Sequence, residues 1–283
     1  MSPKLSFFQS IKLIQKMDDQ DVETIVATSI EELLKQNTTI EDFNMLNMPS
    51  ITMTETGQGI KHITKGLLEN SSIRKLYISD LDDIGIIEIS KVIENKENIE
   101  SLHLSGSDFY SIPEETVMKM AEILKNNTYL KLLSMNSCYL GSTKAKIILD
   151  ALQTNTKLEY LSLDANRIGT EGAPAIAQFL RRNTVLRTLQ MDGNNIQHQG
   201  ALEILNGLQS NFTLLTFEFY NKYIDDFNMI IQRNRNLMKT VLKEVRKYML
   251  NLHKTFPEDG FEREAIRFYR VFFEIKKNQL LNE

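Results

Sequence analysis

One cysteine is the strongest candidate for a nucleophile in this sequence. Cys138 could attack an electrophilic substrate if His103 or His198 acted as its base. A catalytic triad also needs a third group that orients the base, and the sequence identifies none. Nucleophilic catalysis is therefore a hypothesis that depends on where the fold places Cys138.

Other residue types with catalytic or ligand-binding chemistry lack the spacing that such sites require. The four histidines show no metal-type spacing with one another or with Cys138, which argues against a zinc site. Residues 141–144 resemble part of a phosphate-binding loop, but the full Gly-x-x-x-x-Gly-Lys-Ser/Thr motif is absent. Asp164, Asp192 and Glu218 could act as acid–base groups only inside a pocket. We therefore predict no enzyme, no catalytic residues, no cofactor and no metal.

These residues lie in an internal repeat that begins with a strand-like pattern. The pattern Φ-x-x-Φ-x-Φ, in which Φ is apolar, recurs seven times with spacings of 33, 26, 31, 28, 28 and 28 residues. Its alternation predicts a half-buried strand. Apolar residues three and four apart follow each strand and predict one helix per repeat. The repeats start at Ile40, Ile73, Ile99, Leu130, Leu158, Leu186 and Leu214.

The fifth repeat carries a resemblance to a known family. Residues 158–173 read Leu-x-x-Leu-x-Leu-x-x-Asn-x-Ile-Gly-x-x-Gly-Ala, and residues 186–194 repeat the beginning as Leu-x-x-Leu-x-Met-x-x-Asn. This block resembles the ribonuclease-inhibitor-type leucine-rich repeat, which also occurs in tropomodulins and in the GTPase-activating protein of Ran. The resemblance implies an α/β fold, a curved leucine-rich-repeat solenoid with parallel strands inside, helices outside and helical caps. It leaves the partner open.

The repeat register changes the interpretation of Cys138. This residue stands eight positions after Leu130, as Asn166 and Asn194 stand eight positions after their own repeat starts. In the resembled family, Asn or Cys at this position hydrogen-bonds the backbone of the turn that leaves the strand. We therefore predict a structural role for Cys138.

The limits of the repeats divide the chain into three parts. Residues 1–36 are predicted to form a helical N-terminal cap, residues 37–236 about seven leucine-rich repeats, and residues 237–283 a C-terminal helical hairpin. The last repeat helix is expected to end near residues 234–236. The hairpin has two interpretations: it caps the last repeat, or its basic and aromatic residues in 261–281 contact an acidic membrane or a partner groove.

Charge and cysteine content limit the partners and the compartment. The net charge is −4, and residues 231–283 hold 12 basic and 7 acidic residues, which leaves −9 on residues 1–230. An acidic body repels phosphates, so nucleic acid is not an expected partner. A single cysteine excludes an intramolecular disulfide and favours a reducing compartment, which predicts a cytoplasmic location.

The register also predicts which side chains occupy the exposed, concave face of the sheet. Positions two, four and six residues after each repeat start alternate with the buried positions. Aromatic and apolar groups on such a face are typical anchors of protein interfaces. We therefore predict a monomer that binds another protein through this face. The candidate partner-binding residues are Tyr77, His103, Leu132, Tyr160, Asp164, Gln190, Asp192, Glu218 and Tyr220.

The predicted function is a non-enzymatic scaffold for protein–protein interaction. A free-standing repeat protein rich in Asn, Ile and Lys resembles stand-alone effectors that intracellular bacteria deliver into the cytoplasm of a host cell, and also small eukaryotic repeat proteins. The alternative is a regulator of a small GTPase or of actin through the same repeat surface. The resemblance to the Ran activator and to tropomodulin allows this, although no residue here matches a GTPase-activating motif.

Overall fold

Helices and strands alternate along the chain in a computed structural model. The structure describes residues 19–46, 57–220, 223–252 and 258–281, and side chains within 24–46, 57–220, 223–244 and 269–281. None of the helices in these ranges combines the length and apolar character that a bilayer crossing requires. The elements are α1 (Asp19–Gln36), β1 (Asp42–Met45), α2 (Gln58–Glu69), β2 (Lys75–Ile78), α3 (Asp83–Asn95), β3 (Ser101–His103), α4 (Glu114–Asn126), β4 (Leu132–Ser134), α5 (Gly141–Leu152), β5 (Tyr160–Ser162), α6 (Ala173–Arg182), β6 (Thr188–Gln190), α7 (His198–Gln209), β7 (Thr216–Glu218), α8 (Ile224–Leu252) and α9 (Glu258–Leu281).

The strands form one open parallel sheet in chain order, from β1 to β7. Each strand pairs with the next so that equivalent repeat positions lie side by side, as the repeat register predicts. The predicted α/β leucine-rich-repeat solenoid is therefore confirmed. The column two residues after the repeat starts runs through Asp42, Lys75, Ser101, Leu132, Tyr160, Thr188 and Thr216.

The apolar columns of strands and helices meet in one continuous core. The central strand residues of repeats two to six are completely buried, and helix residues from α2 to α8 join the same cluster. Small residues bring α6 and α7 together, because a Cβ atom on Gly207 would lie 2.6 Å from the backbone of Ala177. The buried strand residues are Leu76, Leu102, Leu133, Leu161 and Leu189.

A column of buried asparagines links the end of each helix to the next strand. The side-chain amide of Asn155 donates to the carbonyl oxygens of Leu124 and Asn127, at 2.8 and 3.1 Å. Its side-chain oxygen accepts the backbone amides of Lys157 and Leu158, both at 2.8 Å. One side chain thus satisfies polar backbone groups of two successive repeats. Asn70, Asn127, Asn183 and Asn211 make the same kind of contacts.

The third repeat has a lysine where the others have this asparagine. The ammonium group of Lys96 donates to the carbonyl oxygens of Asn70, at 2.5 Å, and Leu68, at 3.2 Å. It supplies the donors of the missing amide, but an ammonium group has no acceptor for the following turn. Asn98, two residues later, donates separately to the carbonyl oxygen of Ile73 at 2.5 Å.

Helix α1 contacts the first repeat through a buried carboxylate. The Glu31 side chain is only 3% exposed, and its oxygens lie 2.5 Å from Lys35 Nζ, 2.5 Å from His62 Nδ1 and 2.9 Å from Lys65 Nζ. Hydrogen bonds from Lys35, then His62 and Lys65, lower the pKa of Glu31 from an ordinary value of 4.5 to about 2. The carboxylate therefore favours the docked helix in its ionised form.

The C-terminal end differs from the sequence prediction. A helix end was expected near residues 234–236, and this was wrong because α8 is continuous from Ile224 to Leu252. Asn234 is fully buried and donates to the carbonyl oxygen of Leu214 at 2.9 Å. A polar residue that looked like a helix break therefore holds the helix against the last repeat. The predicted boundary after residue 236 lies inside this helix.

Replacing Asn155 by alanine should strongly destabilise the protein. The change leaves two backbone carbonyls and two backbone amides without their partner, and we expect a loss of about 3 kcal/mol in the free energy of unfolding. Urea unfolding followed by circular dichroism measures it. Asn126→Ala is the control, because this exposed asparagine bonds only a glutamate on its own helix. Equal effects of the two variants would contradict the role of the asparagine column.

Acid should weaken the attachment of α1. The pKa of Glu31 is lowered in the folded state, so its stabilisation is present above about pH 4.5 and is lost as the pH falls towards 2. We expect the melting temperature of wild type to be higher than that of Glu31→Gln at pH 7. The difference between the two melting temperatures should shrink below pH 4.5. Glu32→Gln is the matched control, with a neighbouring, 59% exposed side chain. A difference that stays constant with pH would show that ionisation of Glu31 is unimportant.

Candidate protein-binding face

The sheet has one face packed on the helices and one that carries exposed side chains, here called the open face. Along β2 and β6 the buried residues alternate with partly or fully exposed ones, such as Lys75, Tyr77, Thr188 and Gln190. Alternation follows from the strand geometry, since successive side chains point to opposite faces. Each repeat directs two or three side chains towards this face, but those of Ser101, Ser134 and Ser162 are buried.

An aromatic pair marks the N-terminal half of the open face. The rings of Tyr77 and His103 stack with centroids 4.2 Å apart and planes 13° from parallel. Ser101 Oγ lies 3.1 Å from His103 Nε2. Burial, and then the positive charge of Lys75, lowers the pKa of His103. The imidazole is thus held neutral, as a flat group that can exchange a hydrogen bond.

Three side chains form a hydrogen-bonded chain across the C-terminal half. The hydroxyl of Tyr160 donates to Gln190 Oε1, and Gln190 Nε2 donates to Glu218 Oε2 at 2.6 Å. Burial raises the pKa of the Tyr160 hydroxyl, and the negative charges of Glu218 and Asp164 add to this effect. The chain fixes the side chains of β5, β6 and β7 relative to one another and ends on an exposed carboxylate.

A second series of hydrogen bonds lies beside these three side chains, where the strands end. Asn136 Oδ1 accepts the backbone amide of Asp164 at 3.2 Å, and Asp164 Oδ1 accepts that of Asp192 at 2.7 Å. Asp192 Oδ1 in turn accepts the amide of Tyr220 at 2.5 Å. The two predicted partner-binding aspartates therefore also hold successive repeats together. Sequence reasoning missed this role, although Asn or Asp at the same position of three successive repeats was a visible signal.

The carboxyl group of Asp164 is less acidic than an ordinary aspartate. Burial is the main cause of its raised pKa, and the negative charges of Asp192 and Glu218 contribute. The amide of Asp192 opposes this shift by donating a hydrogen bond. Negative charge is therefore concentrated in this half of the open face. An approaching cationic group would stabilise the ionised carboxyl groups.

The predicted partner-binding residues fall into two groups on the structure. Tyr77 and His103 form the stacked pair, and Leu132 lies half-buried one strand further along, in the same column as Tyr160. Tyr220 follows β7 and is 86% exposed. The second group comprises Tyr160, Asp164, Gln190, Asp192 and Glu218. The role of both groups in binding a partner stays a prediction.

Cys138 is a structural residue, as its register predicts. It is completely buried, its backbone amide donates to Asn166 Oδ1 at 3.1 Å, and its thiol donates to the carbonyl oxygen of Leu104 at 3.1 Å. Burial raises the pKa of the thiol to about 12. A buried thiol of such low acidity is not an activated nucleophile. The described residues also contain no group of three His, Cys, Asp or Glu side chains that could hold a metal ion.

A family model for the repeats agrees with this architecture. A family model described as a leucine-rich repeat matches residues 154–177 and 182–205. A solved structure of leiomodin-1 actin-binding site 2 is 24% identical, covers 58% of this chain and 95% of its own, and has a TM-score of 0.50. A tropomodulin C-terminal domain from Caenorhabditis elegans is 12% identical, with coverage of 55% and 96% and a TM-score of 0.47. No curated protein matches the chain. The predicted resemblance to leucine-rich-repeat proteins is confirmed.

Two substitutions of Asp164 should separate its hydrogen bond from its charge. Asparagine keeps an acceptor for the amide of Asp192, as Asn136 shows in the preceding repeat. Because the folded-state pKa of Asp164 is raised, its ionised form disfavours folding at neutral pH. We expect Asp164→Asn to be at least as stable as wild type at pH 7 and Asp164→Ala to lose about 1 kcal/mol. Urea unfolding at pH 7 measures both. Equal destabilisation would mean that the charge itself is needed.

Proposed function

We propose that this protein is a scaffold that binds a partner protein on the open face of its sheet. The observation that carries the proposal is the set of aromatic and hydrogen-bonding side chains on a parallel-sheet face that the helices leave exposed. Parallel sheets are ordinarily covered on both faces. Repeat proteins use their extended inner surfaces for binding. The leucine-rich-repeat fold supports a role in protein interaction.

The internal contacts of the open face favour recognition of a large, preformed surface. The Tyr77–His103 stack and the chain from Tyr160 to Glu218 fix the side chains before a partner arrives. Side chains already held in one geometry lose little conformational freedom on binding. A broad sheet surface suits another protein better than a small substrate.

The charges of the open face define the chemistry of the partner. Asp164, Asp192 and Glu218 lie on adjacent repeats, whereas the cationic Lys75 of β2 already pairs with Asp42 at 3.1 Å. A partner that places lysine or arginine side chains opposite β5 to β7 would be attracted there. An aromatic or aliphatic group on the same partner could contact the exposed ring of Tyr220.

Two finer proposals concern the setting in which this scaffold acts. One is an effector that a bacterium delivers into the cytoplasm of a host cell, where the open face captures a host protein. The other is a regulator of a small GTPase or of actin. The leiomodin-1 domain is described as an actin-binding site, and this makes actin a defined protein to test against the chain. Both proposals use the same surface.

Affinity capture from a eukaryotic cell lysate tests the main proposal. The full chain is compared with a Glu218→Lys/Tyr220→Ala variant, which removes two exposed groups at the C-terminal end of the open face. We expect a specific captured protein to be lost, and the purified partner to bind the variant about tenfold more weakly. Hydrogen exchange of the complex should show protection of β5 to β7.

Tyr110→Ala is the matched control for the capture experiment. Tyr110 is 82% exposed, nearly as much as Tyr220 at 86%, but it lies in the loop between β3 and α4. Unchanged capture by the Glu218→Lys/Tyr220→Ala variant, together with loss of capture by Tyr110→Ala, would overturn the open face as the site. Purified actin is a separate arm, and binding that depends on Glu218 would select the actin alternative.

A further inference from the structure

We propose a second binding site, for an acidic peptide segment of a partner protein, in a groove between the last repeats and helix α9. This groove, here called the basic groove, has a volume of about 610 Å³. Its repeat side comprises the helix-to-strand turns of repeats five to seven, and its other wall is the C-terminal half of α9. The volume lies within the range of about 300 to 1,000 Å³ that is typical of ligand sites.

The groove exists because α9 is attached to the repeats through a small apolar cluster of its own. Phe273 packs with Phe212, which lies in the turn between α7 and β7, and with Leu237 and Val241 of α8. Tyr269 stacks on Phe273 with ring centroids 6.1 Å apart. The aromatic rings therefore line the groove beside its charged groups. An apolar side chain of a bound peptide can contact them.

The charged groups of the groove leave an excess of positive charge. Arg181 and Arg270 form no ion pair with any residue that the structure describes, and Arg187 donates only to the carbonyl oxygen of Thr213 at 3.2 Å. Lys277 pairs with Glu274 at 3.1 Å, so it is already neutralised. The remaining acid is Glu159, which leaves three arginines against one carboxylate.

The unpaired arginines of the groove can bind an anionic ligand because they line one concave space together. A guanidinium group binds carboxylates with two parallel hydrogen bonds, which suits the side chains of aspartate and glutamate. Arg181 on α6 and Arg270 on α9 stand on opposite walls. They can therefore hold carboxylates on both sides of an extended chain.

Another arginine reinforces the positive potential beneath the groove. Arg233 of α8 stacks on Phe212, 4.0 Å from the ring centroid, and donates to the carbonyl oxygens of Gln209 and Asn211. Its own hydrogen bonds hold it in place over the Phe212 ring, which lines the groove. A fixed cation on this ring raises the positive potential near the groove.

The shape of the site favours a peptide over a membrane. A bilayer presents a flat anionic surface, whereas the arginines line a concave space beside aromatic rings. An extended acidic peptide can enter this space, place one apolar side chain against Phe273 and direct its carboxylates to the two walls. This mode of recognition combines an apolar anchor with charge-assisted hydrogen bonds.

Fluorescence anisotropy with the full-length protein tests the proposal. The probe is a fluorescein-labelled octapeptide of alternating glutamate and leucine, and the comparison probe has lysine in place of glutamate. We expect only the acidic peptide to bind, with an affinity that falls as NaCl increases. The Arg181→Glu/Arg270→Glu variant should bind it at least about tenfold more weakly.

Arg182→Glu is the matched control, because Arg182 follows Arg181 directly but bonds Gln153 outside the groove. Its affinity should stay within about twofold of wild type. Circular dichroism checks that the exposed substitutions leave the fold intact. Equal weakening by Arg182→Glu, or no binding of the acidic peptide to wild type, would overturn the proposal. Phosphatidylserine vesicles are a further arm, and binding of vesicles but not of peptide would overturn it in favour of a membrane contact.

Discussion

The fold depends on hydrogen bonds between Asn and Asp side chains and the backbone of neighbouring repeats. A solenoid buries many turns that cannot pair their own amides and carbonyls, and an unpaired buried group costs about 1 to 3 kcal/mol. Asn155 satisfies such groups at the helix-to-strand turn. Asn166 does so at the strand exit, where its side-chain oxygen accepts a hydrogen bond from the backbone amide of Cys138. Both link one repeat to the next. Stability is therefore built from contacts between neighbours, as in a one-dimensional array.

The same kind of hydrogen bond shapes the proposed binding surface. Asp164 and Asp192 face the solvent side of the sheet, yet each accepts the backbone amide of the equivalent residue in the next repeat. Groups that a partner would meet are thus fixed by the scaffold. Rigid display reduces the entropy lost on association. It also places like charges close together, and the raised pKa of Asp164 reflects that crowding together with burial.

The repeat period made much of the fold predictable and left particular contacts hidden. A spacing of 28 residues places equivalent positions on adjacent strands, so the columns and the buried position of Cys138 followed from counting. The asparagine column was missed because Asn155 precedes the apolar pattern by three residues and looks like loop composition. The continuity of α8 was missed because Asn234 is polar, and only its contact with the last repeat explains its burial. Contacts between side chains, such as Tyr160 with Gln190, depend on rotamers that the pattern does not encode.

Within the described residues, charges along the edge where the strands begin are unpaired near the C-terminal end, where the basic groove lies. The residue after each repeat start alternates in sign through Glu41, Arg74, Glu100, Lys131, Glu159 and Arg187. In the early repeats these opposite charges form ion pairs, since Glu100 pairs with Arg74 at 3.2 Å and with Lys131 at 2.9 Å. Glu159 and Arg187 make no ion pair with any residue in the described ranges. Unpaired charge therefore remains where α9 adds Arg270 beside the ring of Tyr269. Because the open face lies on the sheet and the groove along its edge and α9, the two proposed sites do not overlap.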